Sequence, residues 1–275
     1  MSRRILIGDR RVDTIDPADR GLAYGDGLFE TMRAHRGAVP WWDAHWARLV
    51  RGAGRLRLPV PDPARTKQEA EALLDGRDAV LKLLLTRGAG GRGYAPPESA
   101  EPMLVLSVHD LPPASPAEGL SLCWCDIRLA VQPALAGLKH SNRLEQVLAR
   151  MEWDDPAIHE GLVRSSEGDV VCATAANLFI LRDGSWHTPP LDRCGVAGVC
   201  RAWAMEALGA VETRLDVTDV ETAEAIFLCN AVRGILPVAR LGARCWAPHP
   251  QISALQARLA VEVPAFAAAF TMERS

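Results

Sequence analysis

The residue best suited to covalent chemistry is Lys139. The chain has only three lysines, Lys67, Lys82 and Lys139, and otherwise uses arginine. Lys139 lies in Ala136-Gly-Leu-Lys-His-Ser-Asn-Arg-Leu-Glu-Gln146. An amine forms Schiff bases and a guanidinium does not. Spacing alone fits an exposed lysine before a helix better. Cys194-Gly-Val-Ala-Gly198 is a glycine-rich turn leading into an apolar helical pattern. Free N–H groups at such a helix start bind phosphate, and glycine lets the backbone approach it closely. An ordinary flexible loop fits the same residues. No Gly-Lys-Ser/Thr follows and the spacing is not GxGxxG, so neither a P-loop nor a dinucleotide fingerprint is present. Arg48 suits a phosphate ligand or a solvated helix position. Arg92-Gly-Tyr94, in a glycine-rich loop, suits a carboxylate or a plain surface loop. Cys172, on an apolar run, reads first as a small core residue. No Gly-x-Ser-x-Gly elbow appears. Each feature is weak alone; together they describe a pyridoxal phosphate site, with a Schiff-base lysine, an arginine and a helix N-terminus for phosphate.

The elements that must position these groups follow from periodicity. Arg4 to Val12 reads as a strand pair turning at Gly8-Asp9. Gly25-Asp-Gly27 reads as a tight turn before a strand from Leu28 to Ala34. Trp42, Trp46, Leu49, Ala53 and Leu56 form one helical stripe, with Asp43 as the expected N-cap. A second helix is expected over residues 66–74, and strands over 79–86 and 103–108. Leu111-Pro-Pro-Ala-Ser-Pro-Ala-Glu-Gly119 has three prolines and no periodicity. It is the expected linker (111–119) between a smaller domain, 1–110, and a larger one, 120–275. In the second part a strand is expected at 120–129. A helix should follow from Asn142, with Asn142 and Glu145 as a capping box and Leu144, Val147, Leu148 and Met151 on one face. Strands near 158–164, 170–173, 177–181 and 185–187 lead to a helix ending at Leu208. A helix at 218–223, a strand at 225–229 and a helix from Ser253 complete the pattern. Mixed elements without a repeat indicate an α/β or α+β fold in two domains.

Composition narrows the classes. The 275 residues are 48% apolar and 24% charged, which excludes a disordered chain, a collagen repeat or a coiled-coil rod. The net charge of −3 argues against a sequence-independent nucleic-acid binder. No run approaches the ~18 apolar residues of a membrane helix, and the N-terminus lacks a signal-peptide run. Seven cysteines are scattered without CxxC or Cys/His pairing, so no metal site is expected. Free thiols indicate a cytoplasmic protein.

Three stretches carry a family resemblance: Gly21-Leu-Ala-Tyr-Gly-Asp-Gly-Leu-Phe-Glu30; Leu135-Ala-Gly-Leu-Lys-His-Ser-Asn-Arg-Leu-Glu-Gln-Val-Leu148; and Ala175-Ala-Asn-Leu-Phe179 with Gly195-Val-Ala-Gly-Val199. In them the chain resembles the fold-type IV, class IV aminotransferase-like pyridoxal phosphate enzymes over nearly its whole length. The second stretch resembles the lyase branch acting on 4-amino-4-deoxychorismate. The resemblance implies two α/β domains with the cofactor between them, in a homodimer. It implies Lys139 as the Schiff-base lysine and general base. Arg48, in His45-x-x-Arg48-Leu49, would bind phosphate. So would the backbone at Val199 and Cys200 and the turn at Asn230 and Ala231. Arg92 and Tyr94 would meet a substrate carboxylate, and Phe29 would line the substrate site. The implied reaction yields 4-aminobenzoate and pyruvate. The rival activities are D-amino-acid or branched-chain aminotransfer, or a degraded homologue that only binds.

One residue departs from the family pattern. Five positions before the Asn of Asn-Leu-Phe the family has a Glu that faces the pyridine nitrogen; here that position is Cys172. A neutral thiol is a weak donor and cannot hold a pyridinium as a carboxylate does. A weaker electron sink is therefore expected. The deficit falls harder on aminotransfer than on a lyase step driven by aromatisation.

Overall fold

The computed structural model describes residues 2–8, 10–99 and 101–269. The chain divides into two units, the first made of Met1–Leu111 with Leu138–Asn142 and the second of Pro112–Gly137 with Arg143–Ser275. Residues 138–142, around Lys139, thus group with the N-terminal unit although the sequence order sets them in the second part.

In the first unit, alternation of apolar residues builds a five-stranded antiparallel sheet with one covered face. Its strands are β1 (Ser2–Ile7), β2 (Arg10–Val12), β3 (Gly27–Ala34), β4 (Ala79–Thr86) and β5 (Met103–His109), in the order β2-β1-β5-β4-β3. Leu28 and Met32, Leu81, Leu83 and Leu85, and Leu104 and Leu106 are buried with Trp42, Leu49 and Ala53 of helix α2 (Trp42–Leu56) and Ala70 and Leu74 of α3 (Pro63–Leu74). Gly52 lets α2 settle on β3, since a Cβ there would stand 3.0 Å from Leu28. The expected turn at 25–27 is preceded by a short helix, α1 (Arg20–Tyr24), capped by the Asp19 side chain and ended by Gly25 at φ 65°. Asp43 is not the N-cap of α2. Trp41 holds that place without a side-chain cap, and Asp43 sits in the first turn.

The second unit is a mixed sheet in the order β11-β10-β9-β12-β13-β6-β7-β8, with β14 beside β13. The strands are β6 (Leu120–Leu129), β7 (Glu160–Ser165), β8 (Val170–Ala173), β9 (Asn177–Arg182), β10 (Ser185–Thr188), β11 (Val211–Glu212), β12 (Ala225–Asn230), β13 (Gly234–Leu241) and β14 (Arg244–Cys245). Its helices are α4 (Leu144–Arg150), α5 (Val199–Leu208), α6 (Val217–Glu221) and α7 (Pro250–Glu262), before a 3-10 turn at Pro264–Ala269. Strand β13 was not anticipated, and α7 starts before Ser253. Buried Phe179 and Phe227 stack at 4.7 Å in the core, with Trp186 edge-on to Phe227.

Helix α4 departs most from the sequence expectation. Its N-cap is Arg143, whose side chain does not cap the helix. Asn142 instead donates to the Gly25 carbonyl, and Glu145 accepts from the Ala130 N–H. The stripe Leu144, Val147, Leu148 and Met151 is exposed rather than buried.

Candidate active site

In the first unit the site is organised by Glu30, in the middle of β3 and facing α2. His45 and Arg48 stand three residues apart on α2, hence on one helix face. His45 Nδ1 lies 2.6 Å from Glu30 Oε2, and Arg48 Nε donates to Oε1 at 2.8 Å while its Nη2 donates to Oε2. All three side chains are buried. Burial alone would push the Glu30 carboxyl up. Hydrogen bonds from His45 and Arg48, with the charges behind them, outweigh it and hold the group at about 2. The His45 imidazole is pushed below its ordinary value, first by burial and then by the Arg48 and Lys139 charges, against the pull of Glu30. A neutral imidazole facing a carboxylate must donate from Nδ1, which leaves Nε2 as an acceptor. Arg48 is therefore neither solvated nor loose: Glu30 fixes its guanidinium.

The Lys139 segment is set by backbone pairing. β3 is an edge strand, and the Phe29 N–H donates to the Lys139 carbonyl at 2.9 Å while the Ser141 N–H donates to the Gly27 carbonyl at 2.9 Å. A Cβ at Gly25 would stand 2.4 Å from Asn142 Oδ1, so this junction requires glycine at its positive φ. Lys139 Nζ then lies 4.3 Å above the Phe29 ring. The structure thus brings Lys139 and Phe29 together.

Arg92 and Tyr94 lie in a loop that a buried arginine holds. Arg20 donates to the carbonyls of Gly93, Tyr94 and Ala95 at 3.0, 2.9 and 3.3 Å, and to Asp26 at 3.0 Å. The Tyr94 ring meets Tyr24 edge-on at 5.6 Å, and both Arg92 and Tyr94 are exposed. The sequence offered a signal for Arg20, an arginine directly before the Gly21–Glu30 motif, but none for its partner loop some seventy residues on.

In the second unit, Cys172 is buried on β8 opposite Val163. Burial, with a lesser effect of nearby Cys194, pushes its thiol up to about 12, so it is neutral at any working pH. The turn after it is tied down by Thr174, which donates from Oγ1 to Glu160 Oε1. Burial likewise raises the Glu160 carboxyl.

The glycine turn before α5 is equally constrained. The Gly137 N–H donates to the Gly195 carbonyl and the Ala197 N–H to the Gly137 carbonyl, both at 3.0 Å, and Asn177 Nδ2 donates to the Val196 carbonyl at 3.0 Å. A Cβ on Gly198 would stand 2.1 Å from Asn177 Oδ1. Gly198 is the N-cap and supplies no side-chain acceptor, so the first N–H groups of α5, at Val199 and Cys200, are not capped from within. Burial, and then Cys229 at the end of β12, push the Cys200 thiol at this helix start well above its ordinary value. The following turn is built by Asn230, whose Oδ1 accepts from the Val232 and Arg233 N–H groups at 3.0 and 2.8 Å and whose Nδ2 donates to the Ala175 carbonyl at 3.3 Å. Its side chain is consumed by the fold, so only backbone at Asn230 and Ala231 is left for a ligand. Among the described residues no His, Cys, Asp or Glu cluster could hold a metal, and no helix is long and apolar enough to cross a membrane.

The model of the amino-transferase class IV family matches residues 27–241. The chain belongs to that family. A solved structure of 4-amino-4-deoxychorismate lyase from Pseudomonas aeruginosa is similar to it, at 41% identity and a TM-score of 0.87, over 94% of this chain and 99% of that one. The aminodeoxychorismate lyase of Vibrio harveyi is 36% identical over 82% of this chain and 86% of its own. A putative branched-chain-amino-acid aminotransferase of Methanocaldococcus jannaschii is 30% identical, over 88% of each chain. The fold-type IV architecture expected from the motifs is thus the fold of this class IV chain.

Proposed function

We propose that this protein is a pyridoxal phosphate-dependent lyase that converts 4-amino-4-deoxychorismate to 4-aminobenzoate and pyruvate, acting in the cytoplasm as a homodimer. The observation that carries the reading is the placement of Lys139. A primary amine is pinned by backbone pairing at the edge of β3, over an aromatic ring, in the same unit as a buried, carboxylate-locked Arg48. The lyase relatives at 36% and 41% identity support the choice of reaction.

The residues present fit the cofactor. A phosphate suits the uncapped start of α5, where the Gly198 cradle excludes a Cβ, and a preorganised guanidinium at Arg48. Bound pyridoxal phosphate supplies an aldehyde for an amine and a conjugated ring that takes up electrons from a breaking C–H bond. Lys139 is the amine that would hold the cofactor and give way to the amine of the substrate. Its freed Nζ then removes the proton from the amine-bearing ring carbon and returns it to the methylene carbon of departing enolpyruvate. One C–O bond breaks, one C–H bond moves, and the ring becomes aromatic. Arg92, with Tyr94 beside it, meets a carboxylate of the substrate, and Phe29 floors the reacting amine.

Aminotransfer is the second reading, and the 30% identical aminotransferase relative favours it. The neutral Cys172 thiol weighs against it, because aminotransfer has no aromatic product to supply driving force. The homodimer is supported by the stripe on α4. Leu144, Val147, Leu148 and Met151 are 50–76% exposed, an apolar surface that a second copy would cover.

The test is release of 4-aminobenzoate from 4-amino-4-deoxychorismate by purified, cofactor-loaded protein. Equal amounts of 4-aminobenzoate and pyruvate are expected. No release from protein that binds the cofactor, together with amino-group exchange on a 2-oxo acid, would replace this reading by the second.

A further inference from the structure

Arg20 and Arg87 are buried, and the chemistry described so far gives neither a role. Both converge on Asp26, the centre of Gly25-Asp-Gly27. Asp26 Oδ2 accepts from Arg20 Nε at 3.0 Å and from Arg87 Nε at 2.7 Å, and Oδ1 accepts from Arg87 Nη2 at 3.0 Å. Arg87 also donates to the carbonyls of Leu56 and Arg57, both at 2.8 Å, where α2 ends. Arg20 turns to a different partner. Its Nη1 donates to the Gly93 and Ala95 carbonyls and its Nη2 to that of Tyr94, so three successive carbonyls of one loop meet a single guanidinium. Gly90 of the same loop lies against the Arg20 stem, where a Cβ would stand 2.9 Å from Cδ. Tyr24 adds to the grip. Its Oη accepts from the Gly93 N–H at 3.2 Å, and its ring meets both the Arg20 guanidinium, at 4.9 Å, and the Tyr94 ring.

The core does not require this cluster. Tyr94 is 86% exposed, and water can serve the carbonyls of a surface loop. Burying two guanidiniums around one carboxylate carries a desolvation cost that the ion pairs at best offset. What the cluster supplies is position. The loop contains Gly88, Gly90, Gly91 and Gly93, and a chain so rich in glycine has many conformations unless it is anchored. The anchor also touches the Lys139 segment. The Gly25 carbonyl, just before Asp26, accepts from Asn142 Nδ2 at 3.2 Å, and the Gly27 carbonyl, just after it, accepts from the Ser141 N–H at 2.9 Å. Burial pushes the Asp26 carboxyl up, but hydrogen bonds and charge from Arg87 and then Arg20 outweigh it and hold the group below its ordinary value. We infer that Arg20, anchored on Asp26, is the positioning residue of the Arg92–Tyr94 loop, fixing the loop that meets the substrate carboxylate to the turn that holds the Lys139 segment. The identity of that substrate rests on the lyase reading; the anchoring of the loop does not.

The test compares Arg20→Met and Tyr24→Phe with the parent, all loaded with pyridoxal phosphate. Arg20→Met leaves Asp26 paired with Arg87 and so keeps the anchor while releasing the loop. Tyr24→Phe removes only the hydroxyl that holds the Gly93 N–H, and serves alone should Arg20→Met fail to fold. The absorption band of the bound cofactor reports folding and loading. The first readout is tryptic cleavage of the native protein between exposed Arg92 and Gly93, identified by fragment mass. This bond is cut only when the loop opens, so its rate follows the open population. Cleavage is expected to be about 10- to 100-fold faster in Arg20→Met, the range for hydrogen bonds from a charged group, and about fivefold faster in Tyr24→Phe, as for one neutral bond. The second readout is turnover of 4-amino-4-deoxychorismate. KM rises in the same order among the variants, and the loss falls on KM more than on kcat, as for an interaction made equally in ground and transition states. Cleavage at the parent rate in the folded variants would overturn the anchoring. Faster cleavage with KM unchanged, or with the whole loss in kcat, would overturn the positioning of substrate. A parent that forms no 4-aminobenzoate would overturn the lyase reading, and the cleavage rates would still decide whether Arg20 anchors the loop.

Discussion

Replacing Glu30 by glutamine keeps the shape of the side chain and removes the charge that organises α2 against β3. In the native structure the carboxyl drops from the ordinary 4.5 to about 2. A carboxyl depressed in this way stabilises the fold above its unfolded value, and the contribution is lost as pH falls through the folded one. At 1.36 kcal/mol per pH unit the contribution is about 3 kcal/mol at pH 7, of which about 2 kcal/mol is gone by pH 3. Glu30→Gln also leaves the Arg48 guanidinium buried without its counter-charge, and breaking such a pair costs about 3–5 kcal/mol. Urea unfolding of the cofactor-free protein at several pH values measures both effects. The parent should exceed Glu30→Gln by about 3–5 kcal/mol at pH 7, and the gap should narrow by about 2 kcal/mol at pH 3. The double variant Glu30→Gln/Arg48→Met, which removes both charges, should recover part of the loss. A gap below about 1 kcal/mol at pH 7, or one unchanged between pH 7 and pH 3, would refute a buried, ionised Glu30 as the anchor of Arg48.

Three further outcomes are expected. Lys139→Ala should lose the visible absorption of the covalently held cofactor along with turnover, while its unfolding transition stays near that of the parent; retention of the band would remove Lys139 from its assigned role. Gly198→Ala forces a Cβ to within 2.1 Å of the Asn177 amide, which is itself bonded to the Val196 carbonyl, and should cost about 1–3 kcal/mol in stability as well as cofactor affinity. An alanine variant with unchanged cofactor affinity would show that phosphate does not sit at this helix start. Cys172→Glu should raise side aminotransfer in the loaded enzyme, measured as amino-group exchange with a 2-oxo acid, and an unchanged or lower rate would sink the electron-sink argument.

The strands of the first unit were legible because Leu81, Leu83 and Leu85 alternate against exposed Lys82, and such alternation is local information. The type and position of Lys139 were legible too. What escaped depends on partners distant in sequence. That 138–142 pairs with Gly27 and Phe29 cannot be seen in either stretch alone. Asn142 looked like a helix cap because it precedes Glu145 by three, but the Gly25 carbonyl is the acceptor it finds, and Glu145 serves Ala130. The stripe on α4 shows a further limit of periodicity. Spacings of three and four say that one face is apolar, and they are the same whether the face meets a core or another protein. Arg48 sits beside the apolar stripe of α2, and only the Glu30 carboxylate, eighteen residues earlier on β3, makes its burial affordable.

Cys172 is where the sequence argument and the structure reinforce each other. A thiol near the pyridine end of the proposed cofactor could substitute for a carboxylate only as a thiolate. Burial, with Cys194 as neighbour, holds it at about 12, so ionisation is out of reach at neutral pH. Nothing nearby reverses this: Arg143 pulls the thiol down, but Glu160 and Glu145 push it up and burial dominates. On the proposed reading the ring nitrogen would meet a neutral group, and electron withdrawal from the reacting carbon would be weakened. A reaction that must hold a carbanion without other help suffers in full. A reaction in which proton loss and departure of enolpyruvate make an aromatic ring draws its driving force from the product instead. The Gly198 cradle and, in the other unit, the Glu30-locked Arg48 are each built within their own unit. On the proposed reading, positioning is kept where electron withdrawal is weak, a division of labour that a lyase would tolerate better than an aminotransferase.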